Sequence, residues 1–127
     1  MSIHPTLRYT DAESALAFLT GAFGLVPQHV AAAEDGSIAH AELSWEDGVV
    51  MLGTRSDPPG AFDTGHAVLY LPVDDVDAHH DRAAAAGAEI AVALTEQPYG
   101  SREYAARDRE GNLWCFGTYR PTIENPS

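Results

Sequence analysis

The chain contains no lysine: all seven of its basic residues are arginine, set against 19 acidic residues for a net charge of −12. So small a basic complement excludes a nucleic-acid footprint, which needs a positive stripe to displace the counterions of phosphate. It leaves room for a cationic small molecule, which a negative field attracts. Cysteine is nearly absent too: Cys115 stands alone, so no internal disulfide can form, and a reducing compartment is indicated. No apolar run approaches the roughly 18 residues of a membrane span. The N-terminus shows no basic segment followed by an apolar one, as a secretory signal would. These absences together read as a cytoplasmic protein with no membrane partner. There is also no Ser-His-Asp order with a nucleophile elbow, no phosphate loop and no Cys-x-x-Cys; Gly21-Ala-Phe-Gly24 is a helix end rather than a dinucleotide fingerprint.

What is present is a repeat. The 127 residues, 45% of them hydrophobic, suffice for one compact domain. Within it, His4-Pro-Thr-Leu and His66-Ala-Val-Leu each open a half, each half passes through a helix closed by a glycine (Gly24, Gly87), and each ends on Gly-Thr. A repeat of half a small domain means two copies of one supersecondary unit packed together. The first copy predicts a strand over 3–9, a helix starting at a Thr10/Glu13 capping box, and strands over 26–33, 37–45 and 49–54, with turns at Asp35-Gly36 and Asp47-Gly48. The second predicts a strand over 66–72, a helix introduced by Asp74, Asp75 and Asp77, and strands over 89–95, 102–107 and 112–119. The organisation is therefore module 1 (3–54), a linker (55–64), module 2 (65–119) and a loose tail (120–127). The class is α+β: two β-α-β-β-β modules whose sheets make a cup-shaped half-barrel, helices on the outer face.

Side chains alternate along a strand. One parity yields Leu7, Val50, Leu52, Leu71, Trp114 and Phe116, an apolar set that should pack under the helices. The other yields a mixed set that includes His4, Met51, His66, Tyr70 and Cys115, the composition of a ligand-binding concavity. Trp45, Tyr70, Tyr99 and Tyr104 supply an aromatic wall for a planar ligand. Arg102, on the strand of Tyr104, either clamps a ligand oxygen or makes a surface ion pair. Met51 and Cys115 read as lining residues, since Cys115 sits mid-strand with no helix N-terminus to lower its pKa. His79-His80 read as a solvated helix face, because adjacent helical residues point about 100° apart and cannot chelate.

The paired β-α-β-β-β order, His4-x-x-Leu-Arg, Gly65-His66 and Asp108-Arg109-Glu110-Gly111-Asn112-Leu113-Trp114 together resemble the vicinal oxygen chelate superfamily, the glyoxalase / bleomycin-resistance / dioxygenase group. The last stretch is similar to the family's Asp-Pro-x-Gly-Asn/His-x-Trp hairpin, with Arg109 in place of the proline. Tyr99-Gly100-Ser101-Arg102 resembles the strand entry of the uncharacterised branch. The resemblance implies a homodimer, sometimes with exchanged modules. It also implies that His4, Met51, His66 and Cys115 occupy the positions where metal-dependent relatives place ligands. Two of those are typically Glu in such relatives, and a hard divalent ion prefers oxygen and imidazole donors.

Two functions from different classes follow. In one, the cup sequesters a hydrophobic or aromatic small molecule, an antibiotic among the candidates, without turnover and without a cofactor. In the other, a divalent metal (Zn, Ni, Mn, Fe or Cu) held by His4 and His66, with further donors such as Glu42 or Glu103, serves a lyase, isomerase or dioxygenase. A regulatory subunit without small-molecule chemistry is a third reading.

Overall fold

A computed structural model describes residues 3–123. The chain runs β1 (Thr6–Tyr9), α1 (Ala12–Phe18), β2 (Val26–Ala32), β3 (Ile38–Trp45), β4 (Gly48–Thr54), β5 (Val68–Pro72), α2 (Val76–Ala85), β6 (Glu89–Glu96), β7 (Arg102–Arg107) and β8 (Leu113–Gly117). The eight strands form two four-stranded sheets, ordered β1-β4-β3-β2 and β5-β8-β7-β6. In each, the first strand runs parallel to the fourth and the remaining pairs are antiparallel. The expected α+β class and paired β-α-β-β-β order are therefore observed.

Local chemistry sets the boundaries. Gly24 and Gly87 end the helical segments in the left-handed region, at φ 86° and 88°, where a Cβ would be strained. α2 is capped by Asp75, whose carboxylate accepts from the Ala78 amide. The start of α1 agrees with a capping role for Asp11 but differs from the expected Thr10/Glu13 box. Asp11 is the cap, accepting from Ser14 N at 3.0 Å. The Thr10 and Asp11 amides are taken by the Glu110 carboxylate of the other module (2.7 and 2.9 Å), so no Thr10/Glu13 capping box forms. α1 also continues through a π-helical turn, Leu19–Phe23, before Gly24. Ahead of β4, the tight turn is Glu46-Asp47, one residue earlier than expected, with Trp45 paired to Gly48. The 55–64 stretch is a closed loop: Asp63 Oδ2 accepts from Gly60 N at 2.7 Å and Ser56 N at 3.3 Å. Of the presumed tail, residues 124–127 lie outside the described residues, while Arg120 is pinned by Glu46 and Asp74.

The apolar parity is buried as expected: Leu52, Trp114 and Phe116 are fully enclosed, and Leu7, Val50 and Leu71 nearly so. The helices and the buried faces of both sheets share one core. Phe23, at the end of the π-turn, lies 5.8 Å from Trp114 and 5.0 Å from Phe116 of the other module (ring centroids). His79 joins the modules. Its Nε2 donates to the Phe23 carbonyl at 2.7 Å, and its Nδ1 accepts from the Tyr104 hydroxyl at 2.6 Å. The solvated-face reading of His79 is thus corrected. Val76, His79 and Ala83 fall on one α2 face, and a neutral imidazole there satisfies two buried groups. Because the helix sides meet in this core, the opposite face of each sheet is left open.

Candidate functional site

The open face of the first sheet is built from alternate residues of β1, β3 and β4, with the approach to β1. Cross-strand pairing sets Thr6 and Glu42 beside Met51, and Arg8 beside Gly53. His4, Glu42, Val49 and Met51 surround a hollow of about 200 Å³. His4 lies ahead of β1 rather than within it, and its Nδ1 is 3.3 Å from the Val49 carbonyl. His40 Nε2 meets Glu42 Oε2 at 2.8 Å, and that hydrogen bond holds the Glu42 carboxyl below the usual carboxylate range. The His29 ring lies 6.4 Å from that of His40.

The open face of the second sheet carries a different set. β5 and β8 place Tyr70 beside Cys115, and β7 places Glu103 opposite Gly117. Glu103 is only 9% exposed; its carboxylate accepts from Tyr99 Oη at 2.8 Å and Ser101 Oγ at 2.9 Å. Donating to a carboxylate pushes the Tyr99 phenol up to about 12. Tyr70 Oη donates to the Tyr119 carbonyl at 2.6 Å. Burial, and then the Glu103 charge, push the Cys115 thiol up, which keeps it protonated and inert at neutral pH. His66 precedes β5, exposed, with its ring against Gly111: a Cβ there would lie 3.1 Å from His66 Nε2.

Sequence reasoning and structure part company at three residues. Tyr104 is fully buried and pairs with Phe116, so its ring belongs to the core. Arg102 shares that parity and reaches the helix side, where it pairs with Asp77 (2.9 Å) and Glu96 (3.3 Å) instead of clamping a ligand. Trp45 packs on His79 and Phe116, and its indole Nε1 donates to the Pro72 carbonyl at 2.8 Å. It also lines a groove of about 200 Å³, shared with Val49, Leu69, Tyr70 and Pro72, where the two sheets approach. Met51, Tyr70, Tyr99 and Cys115 do sit on or at the rim of the open faces. Ser101 and Tyr119 were missed: Ser101 Oγ donates to Glu103, and the Tyr119 amide in turn donates to Ser101 Oγ.

The four ligand positions fall in pairs, His4 with Met51 on one sheet and His66 with Cys115 on the other. Among the described residues no three His, Cys, Asp or Glu side chains converge to hold a metal ion. Whether the pairs meet within one chain or across two copies, half the donors are a thioether and a thiol. That set does not fit a hard divalent cation.

Comparison with known proteins bears on this arrangement. The family model described as the Glyoxalase/Bleomycin resistance protein/Dioxygenase superfamily matches residues 2–116. An uncharacterised protein of Mycobacterium bovis is 33% identical over 124 residues, covering 91% of this chain and 82% of that protein. Among solved structures, TioX from a Micromonospora species is similar at 35% identity with a TM-score of 0.80, over 92% of this chain and 97% of that one. A glyoxalase/bleomycin resistance protein from a Streptomyces species shares the fold at 20% identity and a TM-score of 0.72, over 89% and 96% of the two chains. Two open β-α-β-β-β sheets back to back on one core, with a family match spanning nearly all of the chain, admit one assignment: the protein belongs to the glyoxalase/bleomycin resistance protein/dioxygenase superfamily.

Proposed function

We propose that this protein sequesters a hydrophobic or aromatic small molecule, an antibiotic being one such molecule, without turning it over. The observation that carries the reading is the exposed apolar surface of the second open face. Val68 is 74% exposed, Tyr99 62% and Tyr119 51%, on a chain of net charge −12. Exposed apolar side chains gathered on one face mark a binding surface. The soft, divided donor set at the four ligand positions points away from metal-assisted proton transfer, which needs a polarising ion and a basic carboxylate beside it. Each face alone is only half a cup. β1, β2, β5 and β6 are the edge strands of the two sheets, and such edges call for a cover. A homodimer with two-fold symmetry supplies one, setting the first face of each copy against the second face of the other and closing two equivalent cups.

The test is incubation of the purified protein with a panel of polycyclic aromatic compounds and aromatic antibiotics, followed by native mass spectrometry and recovery of the bound compound. The expected result is stoichiometric binding of an apolar aromatic member, recovered chemically unchanged. Metal-stimulated consumption of a hemithioacetal or a catechol, lost in the His4→Ala/His66→Ala double variant, would overturn the reading in favour of an enzyme.

A further inference from the structure

Glu103 is nine-tenths buried, yet among the described residues no arginine or histidine makes an ion pair with it. Its two oxygens accept only from neutral hydroxyls, Tyr99 and Ser101. A buried carboxylate in such company carries an uncompensated charge, which is costly unless a cation arrives from outside. What surrounds it is aromatic. Tyr70, Tyr119 and Tyr99 stand in a row, with centroids 6.4 and 6.1 Å apart and rings steeply inclined to each other. Their orientation is fixed by the protein: Tyr99 Oη is held by Glu103, Tyr70 Oη by the Tyr119 carbonyl, and the Tyr119 amide by Ser101 Oγ at 3.1 Å. With its hydroxyl held by Glu103, Tyr99 keeps more than half its surface toward solvent, as does Tyr119. Gly117 forms the floor: a Cβ there would come within 2.5 Å of Glu103 Cγ and 2.7 Å of Tyr70 Oη, so the cradle closes only around glycine.

The chemistry of the site selects its occupant. Phenol faces carry negative potential and a carboxylate adds a full charge, so an anion is repelled. A metal ion would find one carboxylate and no second strong donor. An alkylated ammonium suits both parts, its positive methyl or methylene shell against the rings and its charge against Glu103. The net charge of −12 attracts the same ligand from a distance. We infer that Tyr70, Tyr99, Tyr119 and Glu103 form a subsite for an organic ammonium group borne by the molecule the cup binds. This rests on the ligand-binding reading above and narrows it to amine-bearing ligands.

Choline and its uncharged carbon isostere, 3,3-dimethylbutan-1-ol, differ at the central atom alone and are the probes for the intact protein, titrated by NMR and calorimetry. Choline should bind at least about tenfold more tightly than the alcohol and shift the tyrosine ring signals. Glu103→Gln should erase the preference. Tyr99→Leu with Tyr119→Leu should weaken choline by about tenfold, whereas Tyr99→Phe, which keeps the ring, should retain most of the binding. The leucine substitutions are at exposed positions, so they carry the test even if Glu103→Gln fails to fold. Equal binding of the two probes, no binding of choline, or indifference to the ring deletions would overturn the subsite. The apolar-ligand reading would outlive that result if the aromatic panel still yields a bound compound, and would fall separately if it does not.

Discussion

Asp108 shows how one side chain can hold a fold's corner. Only 6% exposed, it accepts from Tyr9 Oη at 2.6 Å, Trp114 Nε1 and Asn112 Nδ2 at 3.1 Å, and the amides of Glu110 and Asn112. Removing the acceptor strands buried donors, each worth about 1–3 kcal/mol. Asp108→Ala should therefore cost roughly 3–5 kcal/mol, read as a fall in urea midpoint. His79 is the second such residue. Burial holds its imidazole below the ordinary histidine value. The unfolded chain then binds the proton more readily, so stability must fall as pH drops through the usual histidine range near 6.5. Thermal melts from pH 7.5 down to 5.5 should show this decline, and His79→Gln, which cannot titrate, should flatten it. The sequence held the clue. Val76, His79 and Ala83 have helical spacing, but a short alanine-rich helix gives so weak an apolar stripe that a histidine pair looks solvent-facing.

Strands and helices were legible because their punctuation is chemical. Asp-Gly turns, left-handed glycines and aspartate caps placed nearly every element within a few residues. Face assignment failed at Trp45 on the end of β3 and, more plainly, on β7, where Arg102 and Tyr104 were given to the cup. Alternation fixes which residues share a face but not which face is which, and β7 has small alanines on both parities. The neighbouring strand decides it: Tyr104 pairs with Phe116 and must point into the core. Arg102→Ala should accordingly cost less than about 1 kcal/mol, as exposed ion pairs do, and leave ligand affinity unchanged in the same titrations. Gly117→Ala should do the reverse of what a surface change does. Forcing Glu103 and Tyr70 apart, it should destabilise by about 1–3 kcal/mol and weaken ligand uptake as well.

Family membership was readable from the paired modules and the Asp108–Trp114 hairpin, whereas the distribution of the site was not. Sequence parity put His4, Met51, His66 and Cys115 on like faces; it could not show that the two faces look away from a common core. Sedimentation should find a dimer, and Val68→Asp, placed on an open face, should shift it toward monomer and abolish aromatic-ligand binding while leaving the far-ultraviolet dichroism intact. Ligand binding undiminished in the monomer would show that one sheet suffices.

The grip of Glu110 on the Thr10 and Asp11 amides has a consequence for how the two halves can exist. The two amides that lead into the first helix are held by a carboxylate that the ribosome adds 99 and 100 residues after them. Cut in the 55–64 loop, the gene would encode two peptides, neither able to complete its own core, that recover the fold only on mixing. What reads along the chain as a thing said twice is, in three dimensions, a single statement that neither half can finish alone.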